Sequence, residues 1–264
     1  MLADPLNAVL VRRRDVTESL SVVWVRPESG ITPAFQPGQF VRLGLPKPQP
    51  AAAGNPGRIR LTRRAYSIAS AADTADALEF FVVRVEQGQL TPRLWDLDPG
   101  ARLWMDSEAK GEFTLELAPV GVDLVMVATG TGVAPFVSML RTHCPPRAWR
   151  RFVLIHGARY GRDLGYDEEL TVIARRDPTV IYIPLTTREP AEGAWSGLRG
   201  RVQTALEPEN YRRLVGAELD PGACHVFLCG NPDMIDETQR RLTGRGFRAD
   251  SPQGRGNLHF ERYW

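Results

Sequence analysis

The apolar positions of this chain fall into two patterns. Through residue 117 they form short runs or alternate with polar residues, as at 20–25, 39–45, 64–69, 78–85 and 101–105. Alternation with a period of two predicts half-buried strands. Gly, Pro and Asp turns such as Pro37-Gly38 divide them, and the Pro/Ala/Gly-rich stretch 46–57 reads as an exposed loop. Short strands at this spacing predict a small antiparallel β-barrel. Between two of them, Thr91-Pro92-Arg93-Leu94-Trp95 places a proline where a helix begins.

From residue 118 the pattern changes. Residues 123–128 form a continuous apolar run of strand length, which suits a parallel strand covered on both faces. A Gly-rich turn and a helical pattern through Leu140 follow. The unit then repeats, with strands expected at 151–156, 179–185 and 224–229 and helices at 164–176, 201–206, 211–219 and 232–243. This alternation predicts a second, α/β domain with a parallel sheet. The reading is therefore two domains, an antiparallel β-barrel over 1–117 and a parallel-sheet α/β domain over 118–264.

Composition narrows the classes. With 43% hydrophobic and 24% charged residues, the 264-residue chain can bury a core. Thirty-three Lys+Arg against 31 Asp+Glu give a net charge of +2, which carries no footprint for nucleic acid. Arginine clusters at 12–14, 58–64 and 147–151 read as solvated faces, with docking as the alternative. The N-terminus has no apolar signal core, and no apolar run approaches the roughly 20 residues that span a bilayer. The three cysteines, Cys144, Cys224 and Cys229, form no CxxC, and the four histidines show no metal-ligand spacing. No metal, no membrane and a cytoplasmic location are expected.

Five features carry chemistry. Thr129-Gly130-Thr131-Gly132-Val133-Ala134-Pro135 joins the first parallel strand to its helix. Glycines there let backbone approach a phosphate at a helix N-terminus, although an ordinary tight turn has the same composition. An NAD site carries an acid after the second strand. Here the second strand ends at Ala158-Arg159-Tyr160, the third at Thr187-Arg188-Glu189, and Arg199 and Arg201 follow. Arginines in place of the acid point to a 2′-phosphate, hence NADP, with Arg199 ambiguous beside Arg201. In Arg64-Ala65-Tyr66-Ser67 the strand period puts Arg64 and Tyr66 on one face and Ala65 and Ser67 on the other. Tyr66 is a candidate plate for a flavin ring, Arg64 for an anion and Ser67 for the reacting edge. Cys229, closing the last long strand, reads as a buried thiol or as a neighbour of a nicotinamide. The terminus Phe260-Glu261-Arg262-Tyr263-Trp264 is too aromatic to fray, and docks on a ligand plane or on the core.

Taken in order, Pro37-Gly38-Gln39-Phe40, Arg64-Ala65-Tyr66-Ser67, Leu90-Thr91-Pro92-Arg93-Leu94, Ala128-Thr129-Gly130-Thr131-Gly132, Ala158-Arg159-Tyr160, Leu228-Cys229-Gly230-Asn231-Pro232 and Tyr263-Trp264 resemble the ferredoxin/flavodoxin–NADP reductase family, in its bacterial flavodoxin-type branch. The resemblance implies an FAD-binding barrel followed by an NADP-binding domain. It implies FAD contacts from Arg64, Ala65, Tyr66, Ser67, Val82, Val83, Arg84, Gln89, Leu90, Thr91 and Thr131. Tyr263 would lie against the second flavin face and Trp264 near the adenine. For NADP it implies Thr129, Gly130, Thr131, Gly132, Ala158, Arg159, Thr187, Arg188, Arg201, Cys229, Gly230 and Asn231. Tyr66, Ser67, Cys229, Glu261 and Tyr263 are the implied catalytic set. The loop at 49–63 is longer than the branch leads one to expect.

The implied reaction is hydride exchange between NADPH and flavin N5. Tyr263 must then move aside, which an aromatic stack of about 0.5–1.5 kcal/mol permits. The chain lacks a cluster-binding cysteine set, so a separate ferredoxin or flavodoxin takes single electrons, and a monomer suffices. Two other readings stay open. One is the reductase of a multicomponent oxygenase, and the other a flavin-binding electron-transfer or regulatory subunit without turnover.

Overall fold

The computed structural model describes residues 4–47, 60–74, 76–145, 147–251 and 254–262. Most of the long loop expected after Pro46 lies outside the described residues, as do Tyr263 and Trp264.

Six strands build the N-terminal sheet: β1 (Ala8–Thr17), β2 (Leu20–Pro27), β3 (Phe40–Pro46), β4 (Leu61–Ser67), β5 (Leu78–Val83) and β6 (Arg102–Met105). They pair antiparallel in the order β4-β3-β6-β1-β2-β5. The sheet curls until its two edges touch, through a bridge between Ile68 and Phe80 and the Ala69 N–H on the Glu79 carbonyl at 2.8 Å. The seam of the expected barrel is thus a narrow contact rather than a full ladder. Leu10, Val23, Val25, Val41, Leu43, Phe80 and Leu103 fill the interior. Helix α1 (Thr91–Trp95) adds Leu90 and Leu94 to it, with its proline in the first turn as expected.

The hydrophobic pattern did not lead us to β1, because three consecutive arginines mask its alternation. These arginines are not a simple solvated face. The Arg12 guanidinium lies 4.4 Å over the Trp24 ring, Arg13 lies 4.8 Å over Trp95, and Arg14 donates to the Gly165 carbonyl at 3.4 Å. In the third cluster, Arg150 and Arg151 both reach the buried Asp123, at 3.1 and 3.2 Å.

The second sheet is parallel throughout: β7 (Asp123–Thr129), β8 (Arg151–Ala158), β9 (Val180–Thr186), β10 (Leu198–Arg199), β11 (Cys224–Gly230) and β12 (Leu258–Arg262), in the order β10-β9-β8-β7-β11-β12. Helices α2 (Ala134–His143), α3 (Asp167–Arg176), α4 (Val202–Ala205), α5 (Pro208–Val215) and α6 (Pro232–Thr243) join the strands. The continuous apolar runs are explained by two cores. Leu124, Met126 and Ala128 of β7 face one, and Val125 and Val127 face the other. Strands β8 and β11 divide in the same way. β10 and β12 were not expected as strands. β10 is only two residues long, and β12 occupies the terminus read simply as a docked tail.

One of these cores also contains barrel residues. Leu20, Val22, Phe81 and Phe113 pack with Phe136 of α2 and Phe227 of β11, with the Phe113 ring 5.9 and 5.5 Å from the last two. Each such ring is worth roughly 1.5–3 kcal/mol when buried. Polar contacts span the same junction. Arg141, in the last turn of α2, donates to Glu79 of β5 at 3.0 Å, to Glu169 of α3 at 2.7 Å and to the Ala69 carbonyl at 2.8 Å. The Tyr166 hydroxyl also donates to Glu79, at 2.7 Å.

Candidate functional site

After β7 the chain winds outward through β8, β9 and β10, then returns to the other side of β7 as β11. The carboxyl ends of β7 and β11 therefore flank a topological switch point, where open α/β sheets bind ligands. The Gly-rich loop lies there. A Cβ on Gly132 would stand 2.4 Å from the Cys229 carbonyl oxygen. Gly230 has φ +133°, and a Cβ on it would stand 2.4 Å from Thr129 Oγ1. Each loop thus needs its glycine so that the other can approach. Gly130, at φ +54°, faces open space, so its backbone is accessible.

Hydrogen bonds hold the two loops together. The Asn231 N–H donates to Thr129 Oγ1 at 3.0 Å, while Asn231 Oδ1 caps α6 by accepting from the Asp233 N–H at 2.8 Å. Beneath the loop, fully buried His156 places Nε2 3.2 Å from the Gly130 carbonyl. A carbonyl only accepts, so Nε2 carries the proton. Burial pushes this histidine's pKa down to about 4, which leaves a neutral buttress.

The resulting cleft has a volume of about 460 Å³. Thr129, Gly130, Thr131, Ala158, Arg159, Thr187, Arg201, Gly230 and Asn231 line it, so most of the expected nucleotide set comes together. Arg188 does not line it. It is exposed on the next loop, tied by its N–H to the Arg159 carbonyl at 2.9 Å. Arg199 is committed elsewhere, donating to the Pro190 and Trp195 carbonyls at 3.1 and 2.9 Å. Sequence reasoning missed Gln203 and Glu237. Gln203 is buried, and its Nε2 faces two acceptors, the Met234 carbonyl at 3.5 Å and Glu237 Oε2 at 3.3 Å. That fixes the amide orientation and leaves Oε1 without a partner among the described residues. An amide among the apolar positions of a short helix was the available signal.

The Arg64-Ala65-Tyr66-Ser67 strand ends where the two sheets meet. Its register sets Tyr66 opposite Val41 and Ser67 opposite Phe40, so the two side chains leave opposite faces, as the strand period requires. The Tyr66 ring packs edge-on to Phe80 at 6.5 Å, rooted in the barrel interior. Its hydroxyl is buried with no partner among the described residues, and desolvation raises its pKa. Ser67 is buried on the other face and donates to Glu261 Oε2 at 3.1 Å. Glu261 stands beside Cys229 in the β11–β12 register. Burial lifts the Glu261 carboxyl to about 7, with the Ser67 hydrogen bond opposing it. The structure thus gathers Ser67, Cys229 and Glu261 from three distant segments. Cys229 itself has no exposure, and its side chain lies in the core shared by the two sheets.

The other expected flavin contacts divide. Arg64 is exposed, with one hydrogen bond to the Arg63 carbonyl and no carboxylate in reach among the described residues. Ala65 is exposed opposite Arg42. Val83 lines the cleft and Arg84 is exposed. The Val82 side chain, however, points into the barrel core, because strand alternation turns it inward. The Leu90 side chain is likewise buried, and the Thr91 hydroxyl is occupied by Val85, accepting from its N–H at 2.9 Å. Only backbone is left to contribute at Val82 and Leu90. A guanidinium without a carboxylate and a buried phenol hydroxyl without a partner, both among the described residues, together with accessible backbone at Gly130, fit a flavin and a dinucleotide phosphate.

Among the described residues no helix is long and apolar enough to cross a membrane, and no group of three or more His, Cys, Asp or Glu is placed to hold a metal. Residues 126–240 match the family model for an oxidoreductase NAD-binding domain. The chain is 34% identical over 232 residues to a flavodoxin/ferredoxin–NADP reductase of Escherichia coli, covering 87% of this chain and 88% of that protein. It is 37% identical to ferredoxin–NADP reductase B of Sorangium cellulosum, covering 99% and 98%. Its fold is similar to the crystal structure of a ferredoxin NADP+ reductase from Neisseria gonorrhoeae with bound FAD and NADP. The TM-score is 0.84 at 25% identity, over 99% of this chain and 100% of that one.

Proposed function

The chain belongs to the flavodoxin/ferredoxin–NADP reductase family, and from that membership we propose that it is an FAD-dependent reductase moving electrons between NADPH and a ferredoxin or flavodoxin. When bound, FAD takes two electrons from NADPH and releases them one at a time. The observation that carries this reading is one juxtaposition. The glycine loop at Gly132 packs on Cys229, and Glu261, beside Cys229 in the β11–β12 register, accepts from Ser67 at the end of the strand that bears Tyr66.

The chain's own residues then do the following. Tyr66, fixed against Phe80, forms a rigid wall, and Arg64 with the backbone of Gln89, Leu90 and Thr91 holds the FAD pyrophosphate. Thr129, Gly130, Thr131, Gly132, Gly230 and Asn231 present backbone and hydroxyl donors to the NADP phosphates. Arg159 and Arg201 take the 2′-phosphate, supported by Ala158 and Thr187. Ser67 and Glu261 share a hydrogen bond at the contact and set its protonation, with Cys229 packed beneath. The sequence resemblance implies Tyr263 as the movable plate and Trp264 as the adenine neighbour. We set the boundary between the flavin and nucleotide domains at 117/118, and take the protein as a cytoplasmic monomer serving separate carriers.

Arginine replacement tests the nucleotide assignment. Arg159→Ala and Arg201→Ala should each raise the KM for NADPH by about tenfold or more and leave that for NADH nearly unchanged. Arg188→Ala should have a smaller effect, because Arg188 lies outside the cleft lining. Equal effects on both dinucleotides would remove the 2′-phosphate reading.

A further inference from the structure

The cleft lined by Arg159 and Arg201 also contains a carboxylate held by its own helix. Glu237 lies in α6, and its Oε1 accepts from Arg241 Nη2 at 2.7 Å. Arg241 is itself anchored to Glu207 at 2.7 Å. The other oxygen, Oε2, accepts from Gln203 Nε2 at 3.3 Å and stands 3.6 Å from Arg201 Nη1. The Glu237 side chain is 24% exposed and that of Arg201 is 75% exposed. The carboxylate is therefore the fixed member of the pair and the guanidinium the movable one. Arg159 has no carboxylate within ion-pair distance among the described residues, so the two arginines of the cleft differ in kind.

We propose that Glu237 competes with the 2′-phosphate for Arg201, and so sets how strongly the protein prefers 2′-phosphorylated dinucleotides. This rests on the reading that Arg201 meets that phosphate. A phosphate reaching Arg201 must share it with a fixed negative charge, which an uncharged 2′-hydroxyl does not feel. The cost therefore falls on NADP(H) alone. Arg201 is mostly exposed, so solvent screens the effect to several-fold rather than orders of magnitude. Glu237 acts here as a specificity-determining residue that loosens the grip on the phosphorylated ligand.

Calorimetric titration of the FAD-loaded full chain with adenosine 2′,5′-bisphosphate and adenosine 5′-monophosphate tests this without turnover. Glu237→Gln should tighten the bisphosphate by about threefold to tenfold and leave the monophosphate within about twofold. The gain should shrink as salt rises from about 0.05 to about 0.5 M. Glu237→Ala provides a second variant, because a Gln amide oxygen can still accept from Arg201. Unchanged or weaker bisphosphate binding in both variants would overturn the proposal. Arg201→Ala separates this from the premise. If it weakens the bisphosphate while the Glu237 variants gain nothing, the site stands and only the Glu237 role fails. If it has no effect, the site assignment fails and the proposal with it. In the Arg201→Ala background the Glu237→Gln gain should largely vanish. A gain that persists in full would contradict competition for this arginine.

Discussion

Glu261 is the residue whose behaviour the sequence least announces. It lies within β12 near the chain end, and its partner Ser67 lies 194 residues away. A residue pattern reports faces and periods, not which distant strand will arrive opposite. The alternation of Tyr66 and Ser67 was legible, because it is a local property of a strand. Burial lifts Glu261 from 4.5 to about 7. Between those values the folded protein keeps a proton that the unfolded chain has released. The stability this group contributes therefore falls as pH rises through that window, and the loss persists above it. Glu261→Gln removes the slope yet still accepts from Ser67. Denaturant unfolding should show the variant more stable than the parent by on the order of 2 kcal/mol at about pH 8, with little difference at about pH 4. A constant difference across that range would mean that Glu261 does not titrate there.

Among the elements, the glycine loop after β7 runs directly into helix α2, which packs against the barrel. The loop after β7 was legible because its spacing follows an apolar strand and precedes a helix. Its partner after β11 was legible by the same logic. Their mutual approach was not, since it depends on β11 returning beside β7. Gly132→Ala would drive a Cβ against the Cys229 carbonyl. It should destabilise the fold by about 1–3 kcal/mol and weaken NADP+ binding about tenfold or more, as measured by titration of the bound flavin's absorbance. Helix α2 starts at that loop and carries Arg141 in its last turn, whose ion pairs reach Glu79 in the barrel and Glu169 in α3. Arg141→Ala leaves the buried Glu79 without its cation and should cost about 2–4 kcal/mol in urea unfolding. β1 was invisible for the converse reason. Two of its arginines stack their guanidinium groups on Trp24 and Trp95, so charge hides what is a packed strand.

Of three hydrophobic cores among the described residues, one is shared by the two sheets. Both fold classes were legible, because alternating and continuous apolar runs differ in period. The junction was not, because nothing local marks Leu20, Val22, Phe81 and Phe113 as facing another sheet rather than their own barrel. That junction sets Ser67 of β4 against Glu261 of β12. In the proposed reaction, electrons cross this site from NADPH to a separate carrier. The direct measurement is carrier reduction by the FAD-loaded protein, with purified ferredoxin and flavodoxin offered in parallel and NADPH compared with NADH. Rapid reduction of at least one carrier with NADPH is expected, with a rate at least about tenfold lower with NADH. Reduction of neither carrier, or equal rates with the two dinucleotides, would contradict it.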